Sequence, residues 1–226
     1  RRGKNILLDL DSRGPLVVNL GMTGKLLFQG PSGEGQDQDP ADLRHVAVTF
    51  HLDPAARLYY SDIRRFGSLR LYSSSEWEME SNRLGPEPLD PGLTGDRFHD
   101  LLLKSRSPVR SWLLNQTRVA GVGNIYALEA LFTAGIHPQR RARSLSRQEG
   151  GLLLQAIRDV LSRAIGAGGT TLRDYRNASG KPGEFSSSLR VYGREGLSCP
   201  RCKTRIQRIV FANRSAFFCP GCQPYV

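Results

Sequence analysis

Between residues 5 and 72, apolar and polar positions alternate in short runs broken by turn formers. The runs at 6–10, 16–20, 25–28, 46–50, 57–60 and 68–72, separated by Gly, Pro, Asp or Ser, predict short strands of an antiparallel β region. Residues 31–40 are polar and rich in Gly, Pro, Asp and Ser, and predict a loop. Past residues 85–92, which contain Pro86, Pro88 and Pro91 and so mark an interdomain linker, the period changes. Phe98, Leu101 and Leu102, then Trp112 and Leu113, then Ile125, Leu128, Leu131 and Phe132 recur at three and four residues, as helices require. A further helix is expected from Ser146, with Glu149 completing a capping box, through Leu153, Ile157, Leu161 and Ile165 to Gly166. Residues 170–188 read as a loop.

Composition narrows the function. The 226 residues carry 32 Lys+Arg against 21 Asp+Glu, a formal charge of +11. No apolar run approaches the roughly 18 residues of a spanning helix, and the start, Arg1-Arg2-Gly3-Lys4-Asn5, is not followed by a signal core. A cytoplasmic protein without membrane attachment is expected. The positive charge favours a polyanionic partner, although an inert basic surface would also satisfy it. Basic residues concentrate near the C-terminus: Arg190, Arg194, Arg201, Lys203, Arg205, Arg208 and Arg214 face a single acid there, Glu195.

That basic segment contains all four cysteines, as Cys199-Pro-Arg-Cys202 and Cys219-Pro-Gly-Cys222. Each knuckle offers two thiolates, and the sixteen residues between them suit a hairpin that folds the knuckles together. Four thiolates fill a tetrahedral Zn²⁺ shell with no open position, so one structural zinc is expected. A disulfide pair is the alternative, disfavoured without a secretion signal. Upstream, residues 116–126 place Gly121 and Gly123 before a helix that Asn124 would cap, an arrangement that serves plain capping or anion binding alike.

The stretch from Leu113-Leu-Asn-Gln116 through Ala127-Leu-Glu-Ala-Leu-Phe132 to Gly135-Ile-His-Pro138 resembles the helix-two-turn-helix of formamidopyrimidine-DNA glycosylases and their endonuclease VIII relatives. The same family's motifs follow in order along nearly the whole chain: Arg2-Gly-Lys4, Leu20-Gly-Met-Thr-Gly24, Asp62-Ile-Arg-Arg-Phe-Gly67, Val191-Tyr-Gly-Arg-Glu-Gly196 and the two knuckles. The resemblance implies an α+β fold: an antiparallel β-sandwich, a helical helix-two-turn-helix domain and a C-terminal zinc finger hairpin. In residue terms it implies a sandwich over 1–75, a linker over 76–95, a helical domain over 96–188 and a zinc finger over 189–226.

It further implies base-excision repair of duplex DNA. Oxidised purines are flipped from the stack and removed, and the abasic site is then cleaved through a Schiff base and β,δ-elimination. Met22, Arg64 and Phe66 match the residues that fill the gap left by the flipped base. Lys4, Asn124 and Arg214 match groups that grip the flanking phosphates, and Lys4 and Arg214 match the proton donors of the two eliminations. Arg106 is a DNA contact by position. Residues 169–186, with Thr170, Thr171 and Tyr175, resemble the loop that closes over 8-oxoguanine and ring-opened purines in the formamidopyrimidine branch. A monomer, associated with the nucleoid through its DNA, is expected.

The sequence also departs from the family's pattern. The Pro-Glu-Leu-Pro-Glu start, whose proline amine is the nucleophile, is not among these residues, so the sandwich is expected to lack its first part and the 226 residues alone to excise little. Asn19 stands where His is usual, and Asn115 where Asp is usual. A non-catalytic protein that binds damaged DNA through the helical and zinc modules is the competing expectation.

Overall fold

The computed structural model describes residues 1–10, 14–31, 43–53, 55–171 and 181–225. Residues 1–80 and 164–188 form one compact unit, and residues 81–163 and 189–226 form another. In the first, β1 (Asn5–Leu10), β2 (Gly14–Asn19) and β6 (Ser68–Leu71) make one antiparallel sheet in the order β1-β2-β6. A second antiparallel sheet, in the order β3-β5-β4, holds β3 (Gly24–Gln29), β4 (Val46–Asp53) and β5 (Ala56–Asp62). Val17, Val18, Leu27 and Tyr60 are buried, giving the β-sandwich its apolar interior. The alternating runs of the sequence therefore become strands where they were expected.

A helix not foreseen follows: α1 (Ser74–Asn82). Ser73 starts it, its backbone N–H donating to Glu76 Oε2 at 2.8 Å while Glu76 N donates to Ser73 Oγ at 3.3 Å. Such a capping box holds a helix start even where, as here, the helix buries no side chain. The proline-rich segment beyond it, within the second unit, is held by Arg158, whose Nε donates to Pro88 O at 2.7 Å and whose Nη2 donates to Leu93 O at 2.7 Å.

The second unit contains α2 (Gly95–Leu103), α3 (Val109–Leu114), α4 (Asn124–Ala134) and most of α5 (Arg147–Gly166). Phe98 meets Trp112 edge-on at 5.3 Å in its core. The capping box expected at α5 is present, with Ser146 N donating to Glu149 Oε2 at 2.8 Å and Glu149 N to Ser146 Oγ at 3.2 Å. Arg140 pairs with the same carboxylate.

The hairpin between the knuckles is β7 (Gln207–Phe211) and β8 (Arg214–Phe218). Ala212 and Asn213 turn it with φ of 48° and 55°, two left-handed residues whose twist matches that of paired strands. Sequence reasoning sets residues 189–226 apart as a finger, but here they share a core with α4. Leu128 and Phe132 pack with Val191, Ile206, Ala216, Cys199 and Cys219. So short a segment cannot bury enough apolar surface by itself, and the helix supplies the missing wall.

Candidate nucleic-acid interface

In the first unit, one buried carboxylate organises the turn after β5. Asp62 Oδ1 accepts from Thr23 Oγ1 at 2.6 Å and from Arg64 N at 3.3 Å, and Oδ2 accepts from Gly67 N at 2.8 Å and Tyr60 Oη at 3.2 Å. Burial works to raise the Asp62 carboxyl, but these bonds, Thr23 foremost, outweigh it and hold it below its ordinary range. Burial and the neighbouring Asp62 charge push Tyr60 up to about 12. Gly67 has no side chain because a Cβ would run into Tyr60 Oη and the carbonyl oxygen of Asn19. Gly21, at φ +58°, is another tight point, where a Cβ would meet the Phe66 carbonyl and Gly67 N at 2.8 Å.

On this frame stand three of the residues singled out from the sequence. Met22 is 64% exposed and Phe66 61% exposed, and the Arg64 guanidinium lies 4.6 Å over the Phe66 ring. Arg65 between them adopts φ 55°, a left-handed conformation that a side-chain-bearing residue holds only under constraint. Asn19, in the place of the usual histidine, links two turns: its Nδ2 donates to Asn5 Oδ1 at 2.9 Å and its Oδ1 accepts from Gly21 N at 3.0 Å.

Lys4 is exposed on the tight turn Arg2 to Asn5, closed by reciprocal backbone bonds of 3.0 Å. Thr170 and Thr171 lie at the neck of the loop, where Gly183 N donates to Thr171 Oγ1 at 2.8 Å and Phe185 N to Gly169 O at 3.1 Å. Tyr175 lies outside the described residues.

In the second unit, the structure corrects one expectation. Gly123, not Asn124, occupies the cap of α4, with no side-chain capping bond. Asn124 is spent elsewhere: its Oδ1 accepts from Arg110 Nε at 3.1 Å, and its Nδ2 donates to Ser215 O at 3.1 Å, tying the helix start to β8. Arg214 is exposed beside the hairpin turn. Arg106 is exposed on the loop between α2 and α3. Asn115 Oδ1 accepts from Thr117 N at 2.9 Å and Thr117 Oγ1 at 2.8 Å, a turn that needs one amide oxygen and no carboxylate. Two residues that sequence reasoning passes over, Arg110 and Glu129, are buried in this region. Glu129 is the one polar side chain in the buried run 127–132, and that was the signal.

The four cysteine sulfurs lie within 4.8 Å of one another. Cys199 Sγ is 3.8 Å from Cys222 Sγ, and Cys202 Sγ is 3.4 Å from those of Cys219 and Cys222. Zn–S bonds of about 2.3 Å require tetrahedral edges of about 3.8 Å, so the donor set fits a zinc ion. Without a cation, the hydrogen bonds among these thiols favour ionisation of Cys202 and oppose it in Cys219 and Cys222. A hydrogen bond with Thr204 pulls Cys202 down to about 6, whereas burial, then its neighbours, pushes Cys222 up to about 12. The site is anchored from both knuckles to the end of α4 and the residues just beyond it. Arg201 Nη1 donates to Phe132 O at 3.0 Å with its plane 4.6 Å over the Phe132 ring, and Gln223 Nε2 donates to Ile136 O at 2.8 Å.

A β-sandwich, a helix-two-turn-helix segment and a four-cysteine zinc hairpin define a zinc-containing DNA-binding repair protein. The description "Formamidopyrimidine-DNA glycosylase N-terminal domain" matches residues 1–69, "Formamidopyrimidine-DNA glycosylase H2TH domain" residues 84–176, and "Zinc finger found in FPG and IleRS" residues 196–224. The formamidopyrimidine-DNA glycosylase of Paracoccus denitrificans is 45% identical over 226 residues, covering 99% of this chain and 80% of the relative. The crystal structure of the MutM (Fpg) protein of Thermus thermophilus superposes with a TM-score of 0.87 at 41% identity, over 100% of this chain and 82% of that one. The Lactococcus lactis Fpg in complex with DNA containing an abasic site gives 0.87 at 34% identity, over 100% and 80%.

The chain belongs to the formamidopyrimidine-DNA glycosylase family. It is a DNA glycosylase of base-excision repair, with one structural zinc. Residues 1–69 match the family's N-terminal domain, and the chain spans about 80% of the length of the Paracoccus relative. Among the described residues, no helix is long and apolar enough to cross a membrane.

Proposed function

We propose that the protein removes oxidised purines, 8-oxoguanine and formamidopyrimidines, from duplex DNA and then cleaves the abasic strand. The observation that carries this reading is the exposed trio Met22, Arg64 and Phe66 on the Asp62 frame. Met79 and Ile165 are as exposed, so exposure alone marks nothing; what supports the reading is that Arg64 and Phe66 stand stacked on the rigid turn that Asp62 organises, beside the Gly21-Met22 turn, and a gap in a base stack would receive such a group. Arg64 then bonds the orphaned base. Thr170, Thr171 and Tyr175 belong to the loop that closes on the flipped purine.

Lys4, Arg106 and Arg214 act on the DNA backbone. The role of Asn124 is narrower than its side chain suggests, because both ends of the amide are engaged within the protein; it serves by holding the start of α4, whose backbone N–H groups face the phosphate. Formation of the Schiff base requires an amine nucleophile attacking C1′ as the base departs. None of the residues assigned here supplies that amine. Lys4 and Arg214 instead give protons in the successive β- and δ-eliminations.

The test is borohydride trapping on an 8-oxoguanine:cytosine duplex by the zinc-loaded protein at its natural length, read by intact mass. A covalent adduct accompanied by strand cleavage is expected. Retardation of the duplex with neither adduct nor cleavage would replace this reading with a non-catalytic damage binder.

A further inference from the structure

Arg110, on α3, is wholly buried. Its Nε donates to Asn124 Oδ1 at 3.1 Å and its Nη1 to Phe211 O at 2.9 Å, and its plane lies 4.4 Å over the Phe211 ring. Nη2 has no acceptor. Nor does a carboxylate answer the charge among the described residues: the ionisable groups that face it are Arg214, another cation, and Tyr192. Burial first, then Arg214, lowers its pKa from the ordinary arginine value.

A buried cation without a counter-ion is costly, and an apolar side chain would fill such a site with less penalty. The arrangement makes sense if the counter-ion arrives from outside. Arg110 joins the two elements that meet there, the start of α4 through Asn124 and the hairpin turn through Phe211, and Arg214 leaves that same turn. We propose that Arg110 is a positioning residue whose missing counter-charge is a DNA phosphate drawn to the start of α4. Resting on the reading of this face as DNA-binding, it sets the helix start and the hairpin turn from behind, and its uncompensated charge strengthens their hold on the anion. The free protein therefore carries an electrostatic cost that DNA relieves.

The test is Arg110→Gln in the zinc-loaded protein, which retains a hydrogen-bond donor and removes the charge. Melting temperature is measured without DNA, and affinity for a duplex with an abasic-site analogue is measured across a salt series. The expected result is a melting temperature unchanged or raised, an affinity reduced about tenfold, and a slope of log K against log salt shallower by about one. A lowered melting temperature with an unchanged slope would make Arg110 a packing residue only and overturn the proposal. Arg214→Gln run in parallel separates the underlying reading: if it alters neither affinity nor slope, this face does not bind phosphate, whatever Arg110 does. Should the glutamine variant not fold, the side-chain ¹⁵N resonances of Arg110 in the unsubstituted protein decide. A shift of the Arg110 Nε and Nη signals on adding duplex, as an anion approaches the start of α4, supports the proposal, and unaltered resonances overturn it.

Discussion

Glu129 Oε1 accepts the backbone N–H of Tyr192 at 2.9 Å and that of Val191 at 3.0 Å, while its Oε2 accepts Arg190 N at 2.9 Å. One carboxylate of α4, 3% exposed, thus satisfies three consecutive donors of the chain entering the zinc hairpin. An unsatisfied buried donor costs about 1–3 kcal/mol. Glu129→Ala should therefore destabilise the protein by about 3 kcal/mol or more in urea unfolding, with amide exchange accelerated first at residues 190–192. Glu129→Gln, which keeps one acceptor oxygen, should lose about half as much. An unaltered midpoint in the alanine variant would remove Glu129 from this role.

The Asp62 frame predicts an acid limit. Its carboxyl is held below the ordinary value in the folded protein, so its stabilising contribution is present above the unfolded-state value of about 3.9 and is lost as pH falls through the folded value. Thr23→Val removes the shortest of its bonds and should cost about 1.5–3 kcal/mol at neutral pH. The loss should shrink as pH falls below about 4 and through the folded value, since only beneath that value is Asp62 protonated in both states. Thermal melts of the two proteins between neutral and acid pH measure this; a difference independent of pH would contradict it.

Removal of zinc should loosen more than the hairpin. The cysteines share a core with Leu128 and Phe132, and Arg201 and Gln223 bond backbone carbonyls at and beyond the end of α4. Metal analysis should give one zinc per chain. Chelation should release thiols to a colorimetric reagent, lower the melting temperature by about 6 °C or more, and weaken DNA binding. Full affinity in the metal-free protein would show the helix start to be independent of the finger.

Met22→Ala and Phe66→Ala should separate folding from excision. Both side chains are mostly in water, so each substitution should change stability by no more than about 0.5 kcal/mol. Excision of 8-oxoguanine from duplex DNA should fall at least tenfold, while binding of a duplex already carrying an abasic-site analogue falls less. A loss of stability matching the loss of activity would mean that these residues belong to the core.

The strands of the sandwich and the main helices were legible because burial on one face leaves a period that a reader can count. The knuckles were legible because metal chemistry demands a spacing. α1 was not, since a helix without a buried face has no period; its one signal was Ser73 followed by Glu76. The roles of Glu129, Arg110 and Asp62 escaped for a different reason. Each is a polar side chain with a partner far along the chain, 62, 101 and 39 residues away respectively, and no local pattern marks such a pairing. Asn124 was found but given a capping role that Gly123 fills, because the partner that claims its amide, Ser215, lies 91 residues on.

The exposure of Met22 and Phe66 has a bearing on how this chain can be altered. Since neither side chain is buried in the sandwich, folding does little to guard their identity; on the proposed function, damaged DNA does. A library of variants sorted for expression or solubility would retain Asp62 and Gly67 and let positions 22 and 66 drift toward polar residues. On the proposed function, what emerged would be well-behaved proteins that no longer hold open a damaged duplex.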